Sequence, residues 1–123
     1  MENTYLKVEI ENGIMLCVFK PDSLDIATTK ACIATRLSFG EGVSYPTFID
    51  ITSIKSVSKE SRDYFASAEG YKCITAAALL IDSSVNKIIG NFFLQINKPP
   101  IPTKLFNRKS DAVFWLQQFL NRS

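Results

Sequence analysis

The sequence predicts an α/β fold. It reads as a mixed, mainly parallel sheet of four or five strands, opened by an antiparallel N-terminal hairpin and flanked by four helices. Three observations carry this. Asn12-Gly13 stands between two strand patterns, and Asn-Gly there is a strong hairpin signal because a type I′ turn needs positive φ at both central residues. Residues 14–19 and 74–81 are almost unbroken apolar runs, as in strands covered on both faces. Helix-like segments separate the later strands, and such alternation implies right-handed crossovers between parallel neighbours.

The elements follow in order. Residues 5–11 alternate, with Leu6, Val8 and Ile10 on one side and Tyr5, Lys7, Glu9 and Glu11 on the other, which is a half-buried strand. Pro21-Asp22-Ser23 ends the hairpin and offers a cap at Asp22 or Ser23 for a helix over 24–38 that stops near Gly40. Leu24, Ala27, Ala31 and Ala34 make one stripe on that helix; Ile26, Ile33 and Leu37 make a second that needs another neighbour or is exposed. Residues 45–51 read as a buried strand with Asp50 near its C-terminal end. Ser58 opens a helix over 59–68, with Tyr64, Phe65 and Ala68 inward and Gly70 beyond its end.

In the strand at 74–81, Ala76, Ala77 and Ala78 suggest close helix packing above and below. Asp82-Ser83-Ser84 caps the third helix. Its core face is expected at Val85, Ile88, Ile89, Phe92 and Ile96, on helical spacing, with Gly90 off that face and Phe93 at its edge. Leu94 projects opposite, beside Lys87. Pro99 and Pro100 stop the helix, since proline lacks an N–H and the residue before it avoids αR. Residues 103–106 form a short last strand. Asn107 caps a final helix with Ala112, Val113, Trp115, Leu116, Phe119 and Leu120 inward and Phe114 outward.

The totals bound the function. The chain has 123 residues, 46% hydrophobic and 21% charged, with net charge +2. These are the proportions of one ordinary globular domain, residues 1–123, rather than a disordered chain. No Lys/Arg cluster interleaves with aromatics, so nucleic acid is not an expected partner. Three widely spaced cysteines, Cys17, Cys32 and Cys73, and the absence of a signal-peptide pattern read as free thiols in a cytoplasmic protein. No apolar run is long enough to cross a membrane. The chain has no histidine, which removes Ser-His and Cys-His nucleophile pairs and imidazole ligands. The expectation is a protein that is not an enzyme and carries no cofactor and no metal.

The C-terminal run AALLIDSSVNKIIGNFFLQINKPPIPTKLFNRKSDAVFWLQQFL resembles the corresponding half of the SpoIIAA-like domains, the group also labelled STAS or CRAL-TRIO-like in bacteria. The resemblance implies a four- or five-stranded sheet flanked by helices. It also implies a regulatory or interaction module, since the best-known members are anti-sigma factor antagonists. Those carry an Asp at the end of the third strand and then an Asp-Ser pair opening the next helix, where the Ser is phosphorylated. Here Asp50 matches the first position, Ser58 falls on the second Asp and Lys59 on the acceptor Ser. The acceptor is missing in register, although Ser58 and Ser61 are close, and this argues against a sigma-factor phosphoswitch.

Two groups of residues are candidates for function. A parallel sheet would gather Asp50, Thr52, Ser53, Ser58, Lys59, Ser61, Asp82, Ser83 and Ser84 at the C-terminal ends of neighbouring strands, where ligands of open α/β sheets bind. The same serines and Asp82 also read simply as helix caps. The second group is the surplus of apolar residues: Ile33, Leu37, Phe92, Phe93, Leu94, Ile96 and Phe114. Joined into a patch, they would meet a protein partner, a second copy of the chain or a membrane surface. Enclosing a cavity under the third helix, they would hold an apolar small molecule, which requires roughly 300 Å³.

Overall fold

The computed structural model describes residues 1–96 and 99–120, with Gln95 and Ile96 described in their backbone only. The elements are β1 (Leu6–Glu11), β2 (Ile14–Phe19), a two-residue β3 (Ser23–Leu24), α1 (Ile26–Gly40), β4 (Tyr45–Asp50), a two-residue β5 (Ser56–Val57), α2 (Lys59–Phe65), β6 (Ile74–Leu80), α3 (Ser84–Asn91), β7 (Thr103–Phe106) and α4 (Lys109–Gln117). A π-helical turn, Phe92–Ile96, extends α3. The expected stop at Asn97 and Lys98 lies outside the described residues.

Five strands pair in the order β1-β2-β4-β6-β7, with β1 antiparallel to β2 and every later pair parallel. Asn12 and Gly13 make the hairpin turn with φ of 53° and 81°. From β2 the chain always steps in the same direction, so right-handed crossovers place α1, α2 and α3 on one face. Met15, Cys17 and Phe19 of β2 point to that face and join Cys32, Ile54 and Ile89 in its core. The alternate residues Ile14 and Leu16 join Phe48, Ala76, Ala78, Ala112 and Leu116 under α4 on the other face. Pro46 is tolerated in the central β4 because the β4–β6 register shifts between Tyr45 and Pro46.

Several expectations need correction. The first helix starts later, with Asp25 as N-cap accepting from the Thr28 N–H; Ser23 and Leu24 are held instead in a parallel bridge to Ser56 and Val57. Its inward face is Thr29, Cys32, Ile33, Arg36 and Gly40, while Ala27 and Ala34 are exposed. Ile33 is therefore core and is not short of a neighbour. The second helix ends at Phe65, leaving Ala68 exposed. The final helix is capped from Arg108, without a side-chain bond, and not from Asn107.

The largest correction concerns α3. Its buried residues are Asn86, Ile89 and Gly90. Val85 and Ile88, expected inward, are 46% and 60% exposed. The helix is rolled so that Gly90 meets the sheet, where an added Cβ would lie 2.7 Å from Leu105 Cδ2. Phe93 turns in to pack edge-to-face on Phe65, with ring centroids 5.7 Å apart. The physical reason for the roll is Asn86, whose amide is bonded from four sides.

Candidate functional site

The polar turns at the C-terminal ends of β2, β4 and β6 do converge, as a parallel sheet requires. Asp50 ends β4, and its Oδ1 accepts from the Thr52 N–H at 2.9 Å and the Thr52 hydroxyl at 2.7 Å. The Ser53 hydroxyl bridges to the carbonyls of Phe19 and Pro21, at 2.7 and 3.0 Å. Asn86 joins this turn to the next one. Its Nδ2 donates to Thr52 O and to Asp82 Oδ1, and its Oδ1 accepts from the N–H groups of Asp82 and Ser83. The Ser83 hydroxyl in turn accepts from the Asn86 N–H, completing a capping box at α3.

A second network joins α1 to α2. Ser58 caps α2, its Oγ accepting from the Ser61 N–H and donating to the Ser61 hydroxyl. The Ser61 hydroxyl also accepts from Thr29 and donates to Leu24 O. Ser61 is fully buried and its hydroxyl fully engaged, so it has no face to offer a partner. Lys59 is exposed and pairs with Asp63 one turn on. Asp82, Ser83 and Ser84 are exposed.

These turns are thus rigid, internally bonded and short of free buried polar groups. Asp50 and Asp82 do not line one deep cleft; each is bonded locally. Among the described residues no group of three His, Cys, Asp or Glu could hold a metal. No helix among them is long and apolar enough to cross a membrane.

The apolar candidates divide. On the outer side of α3, Val85 and Ile88 are exposed, and Phe92 continues their stripe one turn later, half-buried, with the Arg62 guanidinium stacked over its ring at 4.4 Å. That contact joins α2 to α3 on the surface. Lys59 and Lys87 stand exposed on the same two helices. The α2–α3 face is therefore apolar along its centre, with charges of both signs around it, since Glu60 and Asp63 are exposed on α2 as well. Leu37 and Leu94 are half-buried, Ile33 and Phe93 belong to the interior, and the side chain of Ile96 lies outside the described residues. Phe114 is 76% exposed on α4, on the opposite face of the sheet.

Between the sheet and α1, α2 and α3 lies a cavity of about 100 Å³. It is about a third of the volume expected above for a site holding an apolar small molecule, and Phe93 lines it but Phe92 does not. Its lining holds a residue that the sequence reading passed over. Arg36, on the inward face of α1, is 6% exposed. Its two terminal nitrogens donate to the carbonyls of Lys72 and Gly70, at 2.8 and 3.1 Å. No carboxylate pairs with it among the described residues. Burial pushes the guanidinium below its ordinary pKa, with Cys17, Cys73 and Glu69 pulling weakly the other way. An unpaired buried charge costs several kcal/mol unless hydrogen bonds compensate it. The loop after α2 is shaped to supply them: it folds so tightly over the helix end that a Cβ on Gly70 would stand 2.3 Å from the carbonyls of Tyr64 and Phe65, and Cys73 leaves it with φ 63°.

Cys17 and Cys32 are not reactive centres. Burial pushes Cys17 up to about 12 and Cys32 up to about 11, which keeps both protonated and inert at neutral pH.

Comparison with known proteins agrees with this architecture. The model of a domain of unknown function, DUF7793, matches residues 8–120. The chain belongs to that family. No curated protein matches it. Among solved structures it is similar to an uncharacterised DUF3478-family protein with a SpoIIAA-like fold from Shewanella loihica PV-4, at TM-score 0.65 and 19% identity, over 94% of this chain and 98% of that one. It is also similar to an anti-sigma factor antagonist from Mycobacterium paratuberculosis, at TM-score 0.64 and 17% identity, over 91% of this chain and 92% of that one. The fold is SpoIIAA-like, as the C-terminal run implied. At these identities the likeness concerns the fold alone.

Proposed function

We propose that this DUF7793 domain is a non-enzymatic interaction module that binds a protein partner, or a second copy of itself, over the α2–α3 face. The observation that carries the reading is the outward roll of α3. Asn86 occupies the position next to the sheet, so Val85 and Ile88 are left in water with Phe92 behind them. An apolar stripe with a charged, solvent-exposed rim is the usual anatomy of a contact surface. The likeness to an anti-sigma factor antagonist agrees with a partner-binding role. The register of Ser58 and Lys59, and the burial of Ser61, speak against control by phosphorylation there. Three free cysteines support a reducing compartment such as the cytoplasm as its place of work.

The test compares two surfaces. The tagged chain is used to capture partners from its source cells, alongside Val85→Glu/Ile88→Glu and Phe114→Glu variants, with self-association followed by light scattering. The double variant is expected to lose the partner, or the dimer, by at least about tenfold, while Phe114→Glu retains it. The reverse pattern would move the contact to α4 and sink the reading.

A further inference from the structure

We propose that the cavity beneath α1, α2 and α3 is a binding site for a small apolar monocarboxylate, with its carboxylate held by Arg36. Among the described residues Arg36 is the one charged residue of the lining; Cys17, Ile49, Ile51 and Leu79 are typical of the rest. A guanidinium has five N–H groups. Two donate to Lys72 O and Gly70 O, and the other three have no acceptor among the described residues. The protein has thus fixed the orientation of the fork and left part of it unsatisfied at the edge of an apolar space. A carboxylate supplies what is missing, a full negative charge and two acceptor oxygens in the plane of the fork.

The same features set the ligand class. One cation matches one negative charge, so a phosphate dianion is not the fit. An apolar cavity of about 150 Å³ takes benzene, so the ~100 Å³ here takes about four or five non-hydrogen atoms. That is a carboxylate with a short aliphatic tail. Tyr71, Phe93 and Ile101 at the margin are half-buried and leave a way out for one further carbon, so that butanoate reaches the margin with its methyl end. This site is separate from the α2–α3 outer face, and neither reading depends on the other.

The test is a titration of the ¹⁵N-labelled full chain, followed by amide and arginine side-chain resonances, with sodium butanoate, 1-butanol and sodium chloride. Butanoate is expected to saturate and to move the Arg36 Nε–H signal and the amides of residues 70–74, binding at least about tenfold tighter than butanol. Chloride should not reproduce the shifts. Ala77→Leu fills the cavity from β6 and should abolish butanoate binding while the spectrum stays folded. Arg36→Met should lower butanoate to the affinity of butanol. Equal affinity of butanoate and butanol, chloride-like shifts, or unchanged binding in Ala77→Leu would each overturn the proposal. If Arg36→Met does not fold, Ala77→Leu and the butanol comparison still decide it.

Discussion

The two faces of the sheet are built on different principles. Under α4 the core is built of apolar side chains: Ala76, Ala78 and Ala112 let the helix approach closely, Leu116 is fully buried, and Trp115 packs its ring between Phe106 and Phe119. Under α1, α2 and α3 the core contains a cavity and the buried polar residues Thr29, Arg36, Ser61 and Asn86. One face uses shape alone to hold its helix. The other uses hydrogen bonds to hold three helices at fixed positions around a space. A buried charge, a cavity enclosed by apolar side chains and an outward apolar stripe all fall on the three-helix side.

The largest expected effect tests the α4 face. Leu116→Ala removes a side chain with no solvent contact from the centre of an apolar cluster. It should cost about 3 kcal/mol, measured by urea denaturation. A cost below ~1 kcal/mol would mean that this face can relax, and the contrast between the faces would be lost.

A sharper test uses two adjacent residues of β6. Ala78 points to α4 and Ala77 to the cavity. Both are buried alanines in one strand, so their β-propensity changes alike. Ala78→Val should destabilise by about 1–2 kcal/mol through overpacking, and Ala77→Val should be neutral within ~0.5 kcal/mol or stabilising. Equal costs would show that the cavity is not usable space.

How much of this was legible in the sequence depends on the range of the interactions involved. The hairpin, β2 and the Ser58 and Ser83 caps rest on neighbours a few residues apart, and local chemistry was enough to read them; the mainly parallel sheet followed from the alternation of strands and helices. The roll of α3 was not legible. Val85, Ile88, Ile89 and Phe92 repeat at helical spacing, and apolar period alone favours putting them inside. What overrides it is Asn86, whose Nδ2 donates to Thr52 O, 34 residues away. Its place three residues after Ser83 was a signal, since Ser-x-x-Asn is a variant of the capping box. Arg36 was invisible for the same reason. Its acceptors at Gly70 and Lys72 come 34 and 36 residues later, and a lone arginine in a helix reads as a solvated charge. Ala77 was expected to pack closely on both sides, because three alanines in a row do not reveal which of them faces a void.

The smallest effect concerns alkaline pH and again separates the faces. Cys17 and Cys32 both lie in the three-helix core, and neither belongs to the α4 core. Burial raises the two thiols from the ordinary value near 9 to about 12 and about 11. A raised value means that the folded state holds the proton more tightly than the unfolded chain. The associated stability is fully present below pH ~9 and is lost as the pH rises through 9 towards 11 and 12. Between pH 9 and 10 the loss should be on the order of 1 kcal/mol per thiol, from a slope that cannot exceed about 1.4 kcal/mol per pH unit per group. Lysines and tyrosines also titrate near this range, so the comparison is with Cys17→Ala/Cys32→Ala, which should be less stable at pH 8 but lose distinctly less between pH 9 and 10. Identical slopes for the two proteins would mean that water reaches these thiols already, and that the three-helix side opens on its own.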